Sequence, residues 1–208
     1  MDPVKLTNTL ISKYKDKYPE ERPYIIGIDG LGGSGKTTLA MQLQNEFKSA
    51  GCETFLVHID NYIVQRENRY ETGFEEWYEY YHLQWDVEMI QAELFDKLSN
   101  SIRQLTLPYY DKSSNTIQDQ LMDVPPDAIM IIEGVFIQRK EWQNYFDYMI
   151  FLDCSLELRS KRVLARDRYL GDNQARIEKY KSRYWLAEDY YLQKVKPIEN
   201  ADYLYRGM

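Results

Sequence analysis

IIGIDGLGGSGKTTLA, residues 25–40, begins as an apolar run and continues into a glycine-rich segment. It holds five of the ten glycines in the chain, from Gly27 to Gly35. Residues 30–37 match the pattern G-x-x-x-x-G-K-[ST], and the flanking apolar run and helical spacing supply the strand and helix that a phosphate-binding loop requires. Glycine lets the backbone turn tightly and expose its N–H groups, and the helix start adds a positive dipole end. The stretch therefore predicts a site for phosphate groups.

We expect this loop to bind a nucleoside triphosphate, taken to be ATP, together with Mg²⁺. In such a loop the lysine ammonium, here Lys36, contacts the β and γ phosphates, and the next hydroxyl, here Thr37, ligates magnesium. The residues predicted to bind ATP are Gly30, Gly32, Gly33, Ser34, Gly35, Lys36, Thr37 and Thr38. A glycine-rich turn without a ligand is the alternative, and the presence of both flanking elements disfavours it.

Strands and helices alternate along the whole chain. Apolar runs predict strands at 24–28, 54–59, 128–137, 148–154 and 201–207, the third of which should end at Glu133-Gly134. Helical spacing predicts helices at 3–17, 36–51, 86–100, 155–169 and 173–193. Pro19 is expected to end the first helix. A strand, a helix and a strand in the first 60 residues imply parallel pairing. We therefore expect one α/β domain over residues 1–208, with three layers and a mostly parallel central sheet.

Composition limits the classes of partner. The chain has 208 residues, a formal net charge of −7 and 44% hydrophobic residues, which is typical of a globular domain. The acidic balance argues against a general nucleic-acid binder. No apolar run approaches the ~18 residues that span a membrane, and the first residues lack the pattern of a signal peptide. We expect a cytoplasmic protein without a nucleic-acid or membrane partner.

Two carboxylates follow predicted buried strands. Asp60 comes after the second strand, and Glu133 closes the run IMIIEG. In a doubly wound sheet, ligands gather at the carboxyl ends of the strands, so both should lie near the phosphate loop. Asp60 is expected to orient an acceptor hydroxyl, to take its proton or to hold magnesium through water; a turn or helix cap is the alternative. Glu133 is expected to share the magnesium site with Thr37 rather than to face solvent.

Basic residues follow the fourth predicted strand. Arg159, Arg162 and Arg166 have the spacing that places them on one face of a helix. Guanidinium groups are suited to neutralising a phosphoryl group in transfer, so Arg162 and Arg166 are candidate catalytic residues of a lid. The alternative is a solvated charged face that pairs with Glu157 and Asp167.

The loop alone does not determine the reaction. The chain contains no N-K-x-D guanine motif and no L-S-G-G signature. A small-molecule kinase that transfers the γ-phosphate of ATP to a metabolite hydroxyl fits the length and the candidate residues. The alternative is a nucleotide-binding regulatory or interaction protein without phosphoryl transfer.

The chain resembles the uridine kinase and phosphoribulokinase-like family of P-loop kinases from about residue 24 to residue 207. The segments that carry this resemblance are Gly32–Thr38, Asp60–Tyr62, Pro108–Asp111, Glu133–Gly134, Lys161–Asp167 and Ala201–Asp202. The resemblance implies a P-loop kinase fold with a hairpin insertion on the acceptor side (61–120), and a helical lid and C-terminal helices (155–193). It also implies that Asp60 is the general base and that Arg162 and Arg166 clasp the phosphates.

The acceptor side departs from the family pattern. Members usually carry a His and an Arg after the hairpin Tyr-Asp, for contact with pyrimidine nucleosides, whereas this chain reads KSSNTIQD there. A nucleoside is therefore one candidate acceptor among small metabolites. The residues named as candidates for substrate binding are Tyr62, Trp85, Asp86 and Tyr110.

Aromatic residues crowd the insertion between Tyr62 and Trp85. Their rings could stack on an acceptor, pack the insertion onto the domain, or form a contact with a second copy in a homo-oligomer. Packing is favoured over an acceptor pocket. Asp86 fits a ribose contact and a helix cap about equally well.

Overall fold

A sheet of five strands lies at the centre of the computed structural model, which describes residues 3–17 and 21–206. The strands are β1 (Tyr24–Gly30), β2 (Thr54–His58), β3 (Gln104–Asp111), β4 (Thr116–Asp123), β5 (Ile129–Glu133), β6 (Tyr148–Asp153) and β7 (Tyr203–Arg206). The central sheet has the order β2-β5-β1-β6-β7, and each adjacent pair is parallel. The strands β3 and β4 form a separate antiparallel hairpin. The predicted parallel sheet and hairpin are both confirmed.

Helices flank the sheet. They are α1 (Pro3–Lys17), α2 (Lys36–Ser49), α3 (Glu76–His82), α4 (Val87–Ile90, Gln91–Asp96 and Lys97–Ser99), α5 (Leu156–Arg166), α6 (Asn173–Lys179, Tyr180–Tyr184 and Trp185–Val195) and α7 (Pro197–Asn200). The middle segments of α4 and α6 have π-helical hydrogen bonding. Such segments widen a helix by one residue and often occur near functional sites.

The sheet separates two apolar cores. Ile26 and Ile28 of β1 face α1 and α2, and they pack with Leu39 and Leu43. Ile25 faces the other core, which includes residues of α4, α6 and the insertion. All seven residues of β1 are buried, as expected for a parallel strand that is covered on both sides. The predicted three-layer α/β architecture is confirmed.

Several predicted strand bounds differ from the observed ones by one or two residues. The strand at 54–59 stops at His58, and Ile59–Asn61 form a short 3₁₀ turn. The apolar run at 128–137 is a strand only as far as Glu133, as predicted, because the chain turns away at Gly134, where a Cβ would lie 2.9 Å from the Cβ of Ile59. Pro19 lies outside the described residues.

The aromatic insertion packs against α6. Tyr80 meets Tyr184 edge to face with ring centroids 4.8 Å apart, and Tyr81 meets Tyr190 at 5.0 Å. The fully buried Arg183 of α6 donates to Glu79 of α3 at 2.9 Å. These contacts favour the packing interpretation of the rings. Across the described ranges, no helix combines the length and apolarity needed to cross a bilayer.

Candidate active site

The phosphate loop joins β1 to α2 and has the backbone conformation that its glycines allow. Gly33 and Gly35 have φ angles of 76° and 103°, in the region that residues with a Cβ rarely adopt. Nζ of Lys36 bends back over the loop and donates to the carbonyl of Leu31 at 3.2 Å. In the described chain the N–H groups of Gly33, Gly35, Lys36 and Thr37 have no internal acceptor. The loop thus presents unpaired donors and an ammonium group at a helix N-terminus.

Asp29 supports the loop from inside the sheet. Its Oδ1 accepts from the N–H of Gly30 at 2.7 Å, and its Oδ2 accepts from Gln138 at 2.8 Å and from the hydroxyl of Tyr191 at 2.6 Å. Burial raises the pKa of Asp29, and the hydrogen bonds from Tyr191 and Gln138 oppose that increase. All of these partners are donors, so this position requires a side chain with two acceptor oxygens, which a carboxylate supplies.

Replacing Asp29 with asparagine should destabilise the fold. In either orientation of its side chain, an amide NH₂ would face a donor, which leaves buried polar groups unpaired and should cost about 1–3 kcal/mol in the free energy of unfolding. Urea unfolding measures this cost. The exposed Asp119, replaced in the same way, provides the control and should change the stability by less than ~0.5 kcal/mol. Equal stability of both variants would contradict the bracing role.

Thr37 and Glu133 meet at the end of β5, beside the loop. The hydroxyl of Thr37 donates to Oε1 of Glu133 at 2.9 Å, and Nδ1 of His58 lies 2.6 Å from the same oxygen. Burial alone would raise the pKa of Glu133, but the hydrogen bond from His58 and the charge of Lys36 outweigh it and lower the pKa. The hydrogen bond to Glu133 likewise raises the pKa of His58. An ionised carboxylate and a hydroxyl are oxygen donors that suit Mg²⁺, which keeps most of its other ligands as water or phosphate.

Asp60 lies at the same edge of the sheet, in the 3₁₀ turn after β2. The residue is exposed, yet the surrounding protein displaces enough water from its carboxylate to raise the pKa. Lys36 lowers the pKa and Glu133 raises it, so Asp60 interacts with both the loop and the candidate metal site. The fold thereby brings Asp60, Glu133, Lys36 and Thr37 together, as the topology predicted.

The two lid arginines point in different directions. Arg162 donates to the carbonyls of Gly33 and Ser34, both at 3.3 Å, so it touches the phosphate loop. Arg166 instead forms a double hydrogen bond with Asp167, at 2.7 and 3.0 Å, and its side chain is 67% exposed. The alternative of pairing with Asp167 therefore holds for Arg166 in this structure. Arg166 still lies close enough to Asp60 to lower its pKa.

Each of the four candidate substrate-binding residues makes a hydrogen bond to another residue of the chain. Trp85 is buried and donates to the carbonyl of Ile59 at 3.1 Å, so its ring is not free to stack on a ligand. Asp86 caps α4 by accepting from the N–H of Met89 at 3.0 Å, the second of the two roles considered for it. The hydroxyl of Tyr62 donates to Gln120 of the hairpin at 2.8 Å. Burial raises the pKa of Tyr62 to about 12.

Tyr110 holds the hairpin tip in place. Its hydroxyl donates to Oδ1 of Asn115 at 3.0 Å and lies 3.2 Å from a guanidinium nitrogen of the buried Arg69. Asn115 also accepts from the N–H of Arg66 at 2.9 Å. The hairpin is thus fastened to the insertion at its turn, and the phenol of Tyr110 serves that fastening.

Sequence reasoning missed two groups at the site. One is His58, whose place two residues before Asp60 at the end of a buried strand is a usable signal. The other is Glu188, which no local pattern marks. It reaches the loop from α6 and accepts from the N–H of Gly32 at 2.6 Å.

Comparisons with known proteins agree with this geometry. The model of the phosphoribulokinase / uridine kinase family matches residues 25–197. A uridine kinase of Staphylococcus aureus (strain JH9) is 30% identical over 149 residues, which are 69% of this chain and 68% of that protein. A uridine kinase of Lactobacillus helveticus (strain DPC 4571) is 28% identical over 152 residues, 71% of this chain and 69% of that protein.

A solved structure extends the similarity to nearly the whole chain. It is described as a possible uridine kinase from Bacillus stearothermophilus, and it matches with a TM-score of 0.81 and 40% identity over 98% of this chain and 97% of that one. The predicted P-loop kinase fold is confirmed. The chain belongs to the phosphoribulokinase and uridine kinase family.

Proposed function

We propose that the protein is a magnesium-dependent kinase that transfers the γ-phosphate of ATP to a hydroxyl of a small metabolite. The observation that carries this proposal is the 2.9 Å contact between Thr37 and Glu133, beside a loop in which four N–H groups have no acceptor within the described chain. A phosphate cradle and a pair of oxygen ligands at one sheet edge are what a metal-bound triphosphate needs. Family membership supports phosphoryl transfer over nucleotide binding alone.

Thr37 and Glu133 are the residues that would hold Mg²⁺. When bound, the ion would supply positive charge that offsets the negative charge of the phosphates. The low pKa of Glu133 keeps its carboxylate ionised and ready to bind this ion at neutral pH. His58 orients the same carboxylate through the 2.6 Å contact, as outer partners of metal ligands commonly do.

The remaining residues position the reacting groups. Lys36 and the loop amides hold the triphosphate, and Arg162 already lies against the loop. Arg166 would contribute after exchanging its bond to Asp167 for one to a phosphate. Asp60 orients the acceptor hydroxyl and takes its proton as the new bond forms. Because little covalent chemistry falls to the protein, positioning and charge neutralisation account for most of the catalysis.

Nucleosides, sugars and other small alcohols are the candidate acceptors. Curated relatives are named uridine kinases, which supports a nucleoside as the first candidate. The hairpin turn presents Lys112, Ser113 and Ser114 where the family usually places a His and an Arg. A sugar or another small alcohol therefore belongs in the same set of candidates.

An acceptor screen tests the proposal. We expect ADP release from ATP to rise at least ~10-fold over the acceptor-free rate with one member of a panel of nucleosides, sugars and small alcohols, since positioned hydroxyls react far faster than water. Excess EDTA should remove this activity and added Mg²⁺ should restore it. Nucleotide binding without transfer to any acceptor in a broad panel would favour the regulatory alternative.

A further inference from the structure

A buried ion pair stands behind the phosphate loop. Arg159 of α5 donates to Oε2 of Glu188 of α6 at 2.8 Å, and the two side chains are 7% and 5% exposed. The same two groups also bind the backbone of Gly32. The N–H of Gly32 donates to Oε1 of Glu188 at 2.6 Å, and Arg159 donates to the carbonyl of Gly32 at 3.2 Å.

These bonds fix the two peptide groups on either side of one glycine. A residue without a side chain has many backbone conformations, so Gly32 gains its fixed geometry from partners elsewhere in the chain. The approach is close, because a Cβ at Gly32 would lie 3.1 Å from Oε1 of Glu188. Gly32 precedes the four residues whose unpaired N–H groups form the phosphate cradle, so its position sets where that cradle begins.

We propose that Glu188 and Arg159 are positioning residues that hold the phosphate loop in its nucleotide-binding conformation before the nucleotide arrives. This inference rests on the proposed function only in assuming that the loop binds a nucleotide. A loop that samples other conformations binds more weakly, in proportion to the time it spends away from the competent one. The clamp formed by the buried ion pair of Arg159 and Glu188 keeps the loop in the binding-competent conformation for most of the time, without contacting the ligand.

The clamp also joins three elements. Arg159 comes from the lid helix α5, Glu188 comes from α6, and Gly32 belongs to the loop after β1. The hydroxyl of Tyr191, also on α6, donates to Asp29 at 2.6 Å at the start of the same loop. The segment Trp185–Val195 therefore supports the loop at two points, and Glu188 supplies the one that contacts a loop amide directly.

A second buried ion pair supplies the matched control. Glu79 accepts from Arg183 of α6 at 2.9 Å, and the two side chains are 3% and 0% exposed. This pair fastens the insertion to α6 and makes no bond to the phosphate loop. Loss of Glu79 should thus destabilise the fold about as much as loss of Glu188, since both changes leave a buried arginine without its partner.

The test is calorimetric titration of the full chain with Mg·ADP, alongside thermal unfolding. We expect Glu188→Ala to weaken the Kd by ~10-fold or more, because the loop then has to be ordered when the nucleotide binds. Glu188→Gln keeps an acceptor for the Gly32 N–H but loses the charge, and its Kd should weaken by about threefold, a partial rescue. Glu79→Ala should keep a Kd within about twofold of the unmodified chain despite a comparable loss of thermal stability.

Each outcome is decisive. If the unmodified chain binds Mg·ADP and both Glu188 variants bind it equally well, the clamp is not a positioning device. Equal weakening by Glu188→Ala and Glu79→Ala would reduce it to a general effect of stability, which also overturns the proposal. If Glu188→Ala does not fold, Glu188→Gln decides alone, and a Kd equal to that of the unmodified chain overturns the proposal. No binding to the unmodified chain would refute the nucleotide site itself.

Discussion

Lys36→Ala is expected to abolish measurable phosphoryl transfer. Lys36 is the charged residue within the phosphate loop, it is 9% exposed, and its Nζ bends back towards the loop carbonyl of Leu31. An ammonium group held in a largely dry site stabilises the charge of a transferring phosphoryl group far more than it would in water. Removing it should lower kcat/KM for ATP by ~10³-fold or more.

Lys48 provides the matched control for this substitution. It is an exposed lysine in the last turn of α2, at the opposite end of this helix from the phosphate loop. Lys48→Ala should leave kcat/KM for ATP within about twofold of the unmodified protein, since exposed surface substitutions rarely matter. Steady-state assays with the identified acceptor measure this loss. If Lys36→Ala kept more than a tenth of the original kcat/KM, other groups would have to hold the phosphates.

The parts of the site that could be predicted from sequence follow either from a local pattern or from the rule that parallel strands align their carboxyl ends. The loop from Gly30 to Thr37 could be read because its spacing, its strand and its helix are consecutive. Asp60 and Glu133 could be placed because parallel strands bring their carboxyl ends to one edge. This alignment of strand ends predicts that the two carboxylates lie near the loop once the strands are placed correctly in the sequence.

The parts that could not be predicted depend on pairings without a local pattern. Glu188 and Gly32 are 156 residues apart, and a glutamate in a helix rich in Tyr and Lys looks like any other surface residue. Pairing with Asp167 is an alternative that the sequence offers for the arginines of α5, but no local pattern shows that Arg166 adopts it while Arg162 contacts the phosphate loop. Phe136 lies buried with a φ angle of 62°, a conformation that no propensity predicts for a bulky residue.

Composition identified the aromatic residues of the insertion but not their partners. Tyr80 and Tyr81 both pack edge to face on Phe136, with ring centroids 5.3 and 5.1 Å apart. Phe136 lies three residues after Glu133, so the insertion packs on the segment that follows the candidate metal ligand. Rings of this size contribute to stability mainly through burial.

Asp60→Asn is expected to lower kcat by ~10²–10⁴-fold, the range typical for loss of a general base. The amide cannot take the proton of the acceptor hydroxyl, although it has nearly the same shape as the carboxylate. The affinity for Mg·ADP should stay within about threefold, since the loop and the Thr37–Glu133 contact remain. This split between turnover and nucleotide binding separates a catalytic base from a residue that merely holds the fold together.

The pH dependence gives a second readout, with Asp189→Asn as the control. Because the surrounding protein raises the pKa of Asp60, kcat/KM should fall as the pH drops through a value above the ordinary aspartate pKa. Asp189 is an exposed carboxylate of α6, and its asparagine variant should keep both the turnover and this acidic limb. If Asp60→Asn keeps nearly full kcat with the identified acceptor, another group receives the proton. If the residual activity of Asp60→Asn keeps the same fall in kcat/KM at low pH, Asp60 does not titrate in the reaction.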